Sequence, residues 1–148
     1  MNKIYVGEVN SGLERMRVDG HVASMCVTSP PYFGLRDYGV AGQIGLERSS
    51  SEYIDRLVGV FSRVRDVLAD DGTLWVNIGD SYAGYHGNKN ADYSGAPSNK
   101  GGYFENQRLS TVGMGGLKQK DLIGIPWMLA FALRADGWYL RQEIIWSK

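Results

Sequence analysis

The residue pattern specifies an α/β chain, a mixed and mostly parallel sheet flanked by helices. Three observations carry that reading. The apolar runs at 22–27 and 73–78 have the length and the β-branched or aromatic content of buried strands. Between them Ile54, Leu57, Val58, Phe61, Val64, Val67 and Leu68 recur at helical spacing, an amphipathic helix of about 17 residues. The first strand then runs into two consecutive prolines. Their fixed φ and missing N–H end a sheet ladder in a stiff turn.

With 148 residues and 43 % hydrophobic content, the chain is one domain long and can bury a real core. No apolar run approaches the roughly 20 residues of a spanning helix. Met1-Asn2-Lys3-Ile4-Tyr5 enters a strand-like pattern with no secretory h-region, so the expected compartment is the cytoplasm. A single cysteine excludes an internal disulfide framework and a Cys-rich zinc site. Neither His21 nor His86 has a Cys or His partner at ligand spacing, so no metal is expected.

Zero net charge argues against a simple basic nucleic-acid binder, but the charge is unevenly placed. Residues 83–120 carry five basic and two acidic side chains, against five and eight over 36–82. Phosphate contact needs only a local patch, which makes Lys89, Lys100, Arg108, Lys118 and Lys120 candidate DNA-binding residues. A solvated polar loop with incidental lysines accounts for them equally well.

In chain order, Ile4-Tyr5-Val6 reads as a strand ended by Gly7, with Glu8 behind it and a brief helix over 11–16 that turns Leu13 and Met16 inward. The 22–27 strand delivers Thr28-Ser29-Pro30-Pro31-Tyr32 to its C-terminal end. In open α/β sheets that edge is where ligands bind. An exocyclic amine has two N–H groups and needs two acceptors, which the Ser29 side-chain oxygen and the Pro30 carbonyl can supply while Tyr32 stacks on the ring. Taken alone, the tetrapeptide reads as well as a rigid turn with no chemistry. Residues 33–51 look like loop, and Ser49 with Glu52 has capping-box spacing at the start of the long helix. Asp70-Asp71-Gly72 is read as the end of that helix, before the strand at 73–78.

Gly79-Asp80-Ser81-Tyr82 falls on the same sheet edge as Ser29, where Asp80 either positions cofactor or substrate groups or makes an Asx turn. The segment 83–120 has no sustained periodicity and is expected to be a flexible polar insertion, disordered without DNA. Tyr85, His86, Tyr93, Tyr103 and Phe104 interleave with its basic residues, as contacts with an opened DNA strand require. Val112-Gly113-Met114-Gly115-Gly116 follows no strand and is therefore read as loop, not as a nucleotide-binding turn. Asp121 is the candidate N-cap of a last helix whose buried face is Ile125, Met128, Leu129, Ala132 and Leu133, with Pro126 near its start. Ala135-Asp136-Gly137 ends it, and 138–146 reads as a final strand.

Ser-Pro-Pro-Tyr at 29–32 resembles the signature of the amino-group DNA methyltransferases, in which Asp, Asn or Ser precedes Pro-Pro and an aromatic. The likeness extends through Tyr32-Phe33-Gly34-Leu35-Arg36-Asp37-Tyr38-Gly39 and to 120–127 and 137–146, which look like later blocks of the β class. The resemblance implies a Rossmann-like fold that uses S-adenosylmethionine and acts on double-stranded DNA with the target base flipped out. In that class the catalytic half comes first, so 1–148 is expected to be the catalytic portion, with the Phe-x-Gly-x-Gly half of the fold absent. The chain is then a fragment, or one half of a split enzyme whose glycine-loop half sits on a second chain.

The resemblance assigns Ser29 and Pro30 to holding the amine, Tyr32 to stacking and Pro31 to rigidity. Glu8, where the family usually has Asp, would lie beside the cofactor adenine, with Thr28 and Asp80 also on the cofactor side. An exposed loop carboxylate is the plain alternative for Glu8. Trp146 would flank the base pocket or sit in the core. Ser at position 29 resembles the cytosine-N4 branch, with adenine-N6 methylation as the alternative, in a restriction-modification or phage setting. Carbon-5 methylation needs a thiolate, and Cys26 lies inside a strand. The competing classes are a catalytically inactive DNA-binding remnant and a bare α/β fragment prone to association.

Overall fold

The computed structural model describes residues 3–84 and 116–147. Helix α1 (Val9–Val18) leads to strand β1 (Ala23–Thr28), α2 (Ser50–Arg65) crosses to strand β2 (Leu68–Val76), and α3 (Ile125–Ala135) comes last. β1 and β2 pair in parallel, which α2 permits as the crossover between them. On the inward face Cys26, Leu74 and Val76 pack against a core built from Ile54, Leu57, Phe61 and Val64 of α2 with Ile125, Leu129 and Leu133 of α3. Leu13 of α1 joins the edge of the same core.

β1 forms where the apolar run placed it, but it is covered on one face only. Met25 and Val27 are 56 % and 69 % exposed, and Trp75 beside them on β2 is 44 % exposed. α2 starts at the expected cap: the Ser49 hydroxyl accepts the Glu52 N–H at 3.2 Å, and the Glu52 carboxylate accepts the Arg48 N–H at 3.1 Å. It ends earlier than the residue pattern suggested, at Arg65 with Asp66 as C-cap. Asp70-Asp71-Gly72 lies instead inside β2. While β1 advances from Ala23 to Met25, β2 advances from Leu68 to Thr73, so the residues between bulge out of the ladder. Gly72 is required there, because a Cβ would stand 2.8 Å from the Ala69 carbonyl oxygen.

Two expected strands do not form. Residues 4–6 and 138–146 have the side-chain pattern, but a strand exists only through a ladder, and the described residues offer these segments no neighbour to pair with. Ile4, Val6, Tyr139, Ile144, Ile145 and Trp146 are accordingly exposed. The first helix is longer than 11–16 because the Glu8 carboxylate caps it, accepting the Ser11 N–H at 2.9 Å.

Asp121 does not cap α3. It closes a local turn, its carboxylate accepting the Lys118 N–H at 2.8 Å. α3 starts at Ile125, after Gly124 at φ 89° and with Pro126 in its first turn, where a missing N–H costs nothing. The cap comes from the end of β2: the Asp80 carboxylate accepts the N–H of Gly124 at 2.9 Å and of Ile125 at 3.1 Å. Beside it the chain is zipped, with Ile123 N–H donating to the Ser81 carbonyl, Ala83 N–H to Asp121 and Lys120 N–H to Ala83. Tyr82 and Leu122 form an antiparallel bridge in this neck.

Asp80→Ala removes an acceptor shared by two helix-start N–H groups and one further donor, Ser81 N–H. It should destabilise the fold by about 1–3 kcal/mol, read by urea unfolding, while Asp80→Asn keeps an acceptor oxygen and loses less.

Candidate active site

The loop after β1 is short of donors. Pro30 and Pro31 contribute carbonyls but no N–H, so their partners must come from elsewhere in the chain. Asn77 N–H donates to the Thr28 carbonyl at 2.9 Å, extending the parallel ladder to the mouth of the loop. Tyr53 of α2 donates its hydroxyl to the Pro31 carbonyl at 2.8 Å. Leu35 N–H reaches the Tyr32 carbonyl at 3.3 Å, and Gly34 N–H the Gly45 carbonyl at 2.8 Å. The Ser29 hydroxyl and the Pro30 carbonyl have no partner among the described residues. Ser29 is exposed, Pro30 is buried, and Pro31 and Tyr32 are half-buried.

Three contacts hold this loop rigid. The Phe33 ring packs on Tyr53 at 5.4 Å between centroids. Gly45, at φ 104°, lets the 42–47 loop approach so closely that a Cβ there would be 2.9 Å from the Tyr32 carbonyl oxygen. Gly79, just past β2, lies against the Tyr32 ring, where a Cβ would sit 3.2 Å away. The strand ends therefore meet at Tyr32. Beneath, buried Glu47 accepts the Gly45 N–H at 2.8 Å and pairs with Arg56 at 2.8 Å, and Arg56 also donates to the carbonyls of Gly42 and Gln43. This network ties the 42–47 loop to α2.

Tyr53 is wholly buried, and burial raises its phenol above the ordinary value of 10.0, helped by the nearby Glu47 and Tyr32 charges. The hydroxyl stays protonated and so keeps the proton that it donates to the Pro31 carbonyl. Tyr53, Leu57, Phe61 and Val64 form one helical stripe, which an apolar-only count starts one residue late and so leaves Tyr53 out. Cys26 is half-buried, and desolvation pushes its thiol up, away from the thiolate a carbon nucleophile mechanism requires.

The other expected site residues divide. Thr28 and Asp80 end at the same edge as Ser29, Thr28 with no side-chain partner among the described residues and Asp80 committed to the start of α3. Glu8 is the N-cap of α1, its carboxyl held below the ordinary range by the Asn10 and Ser11 N–H groups. Trp146 is 78 % exposed among the described residues. Lys118 and Lys120 are exposed on the neck, Lys120 at φ 75°. Lys89, Lys100, Arg108, the five interleaved aromatics and 112–115 lie outside the described residues. Among the described residues no cluster of three or more His, Cys, Asp or Glu is placed to hold a metal ion, and no helix is long and apolar enough to cross a membrane.

A family model described as DNA methylase, of N6/N4 type, matches residues 23–148. Type II methyltransferase M.Cfr9I of Citrobacter freundii is 50 % identical over 145 residues, 98 % of this chain and 46 % of the relative. Type II methyltransferase M.SmaI of Serratia marcescens is 49 % identical over 147 residues, 99 % of this chain and 47 % of its own. Type II methyltransferase M.XycI of Xanthomonas campestris pv. cyanopsidis is 52 % identical over 122 residues, covering 82 % and 39 %. The chain thus spans about half the length of these relatives or less, and in each the matched part belongs to one longer chain. No solved structure matches.

Two outcomes follow from this geometry. Gly45→Ala should cost about 1–3 kcal/mol in urea unfolding, since it adds strain at positive φ and a clash with the Tyr32 carbonyl. The Tyr53 hydroxyl has its pKa raised on folding, so its stabilisation is complete below about pH 10 and is lost as the pH rises further. Circular dichroism should show the parent losing stability between about pH 10 and 12 more steeply than Tyr53→Phe.

Proposed function

This chain belongs to the N6/N4 DNA methylase family, and from that premise we propose that it carries the target-base side of a site-specific DNA methyltransferase. The reaction transfers a methyl group from S-adenosylmethionine to the exocyclic N4 of cytosine; the sulfonium S–CH3 bond breaks to leave S-adenosylhomocysteine, and the amine gives up one proton to solvent. The observation that carries this reading is the pair of uncommitted acceptors, the Ser29 hydroxyl and the Pro30 carbonyl, on a loop immobilised on three sides. A base amine offers two N–H donors to such a pair. Bound there with its ring against Tyr32, it is oriented and drawn out of conjugation, which leaves the nitrogen lone pair free to attack.

When bound, S-adenosylmethionine supplies an electrophilic methyl group on a sulfonium. The described residues suit the base side more fully than the donor side. Glu8 and Asp80 already serve the N-termini of α1 and α3, and a cofactor would have to share them, while Thr28 keeps a free side chain at the strand end. Around the opened duplex, Lys118 and Lys120 on the neck continue the basic series of Lys89, Lys100 and Arg108 toward phosphate. Ser at 29 favours cytosine over adenine, because the adenine-N6 enzymes that the sequence resembles more often carry Asp or Asn there.

Calorimetric titration with S-adenosylmethionine, followed by methyl transfer to mixed-sequence DNA and digestion to nucleosides, tests the reading. N4-methylcytosine is expected, with at least a roughly tenfold lower rate for Ser29→Ala, the loss of one acceptor worth about 1.4 kcal/mol in the transition state. N6-methyladenine would replace cytosine by adenine as the target. Neither cofactor binding nor a methylated nucleoside, from folded protein, would leave a DNA-binding remnant.

A further inference from the structure

We propose that Tyr53 is the positioning residue of the amine site, selecting which carbonyl of the proline loop faces the base. The inference rests on the proposed base-binding role of Ser29 and Pro30. Of the three consecutive carbonyls at Pro30, Pro31 and Tyr32, the last accepts from Leu35 N–H and the middle one from the Tyr53 hydroxyl. Pro30 alone is left without a partner among the described residues. Neither proline has an N–H, and Leu35 N–H is taken by the Tyr32 carbonyl, so the choice between Pro30 and Pro31 is made from outside the loop.

Tyr53 is equipped for that choice. It is fully buried, where a hydroxyl without a partner is left desolvated and unpaired, so the bond to Pro31 is favoured over an open alternative. Its ring is fixed by Phe33, and its backbone by the first turns of α2, where its own N–H donates to the Ser49 carbonyl at 3.1 Å. Without the hydroxyl, the Pro31 carbonyl loses its donor and the peptide between the prolines and Tyr32 is free to turn. Pro30 and Pro31 then compete for the same base amine, and Ser29 no longer works against a fixed second acceptor. The Tyr53 ring never touches the substrate in this scheme; it acts through the loop.

The test uses the 148-residue chain labelled with carbonyl-¹³C proline, with free cytidine as the probe. In the parent, cytidine should move the Pro30 carbonyl resonance and leave Pro31 nearly unchanged. Tyr53→Phe keeps the ring against Phe33; it should shift Pro31 in the free protein and weaken the cytidine response of Pro30 roughly tenfold, the effect of about 1.4 kcal/mol. Leu133→Ala, which trims the core on α3 and spares both the Tyr53 hydroxyl and its ring contact, should leave the cytidine response close to the parent's. In methyl transfer, Tyr53→Phe and Ser29→Ala should be less than additive, with the KM for S-adenosylmethionine unmoved.

A Phe variant that binds cytidine like the parent overturns the positioning role and leaves the base-site reading intact. A parent whose Pro30 resonance ignores cytidine overturns the base site itself, and the inference with it. A Phe variant that does not fold makes Tyr53 structural only, and overturns the inference as well.

Discussion

The hydrogen bond from Tyr53 to the Pro31 carbonyl is the tie that joins the proline loop to the core of this protein. A strand that ends in two prolines arrives with acceptors and no donors, and the nearest element able to answer is the crossover helix. α2 therefore does two jobs. Its apolar stripe covers the inward face of the sheet, and the one hydroxyl in that stripe reaches the loop beyond the strand. Packing and site geometry are consequently one problem: a shift of α2 along the sheet that preserved its apolar contacts would still break the bond to Pro31.

The opposite wall of the edge is built on the same logic with charge in place of a hydroxyl. Asp80, at the end of β2, holds the N–H groups that begin α3 across a sequence separation of 44 residues or more. A carboxylate at a helix N-terminus is favoured both by hydrogen bonding and by the helix dipole. It lies beside the neck in which 81–83 and 120–123 pair, and so ties the start of α3 to the segment that follows β2. Lys118 and Lys120 stand on that neck, at the foot of the segment richest in positive charge. Gly79 meanwhile lets β2 come close enough to hold the Tyr32 ring. Both strand ends thereby contribute to one small surface that bears Ser29 and Tyr32.

Much of this was legible in the residues, for local reasons. The Ser49 cap, the periodicity of α2 and the paired prolines are signals spread over a few positions, and each has its physical cause within the same few positions. The misreadings share a different character. Asp70-Asp71-Gly72 has the composition of a helix stop, yet it is a bulge in β2, because register with β1 decides where a strand begins. Asp121 has the look of an N-cap, yet the cap is Asp80, because a capping group need not be near in sequence. Tyr53 carries no mark in the residue pattern, since a polar aromatic in an apolar stripe gives no sign of the carbonyl it will meet.

From the order of its residues alone, this chain declares its family, its parallel α/β character and the paired-proline loop after β1, because those rest on short-range patterns. Pairing and partners are another matter. The runs at 4–6 and 138–146 are strand-like in pattern and unpaired among the described residues, and the run at 22–27 is a strand open on one face. Which carbonyl of the proline loop is satisfied, and which carboxylate starts α3, were settled by three-dimensional proximity. A hydrogen bond needs its two groups within about 3 Å, and residues 22 and 44 or more positions apart reach that distance only once the core has closed.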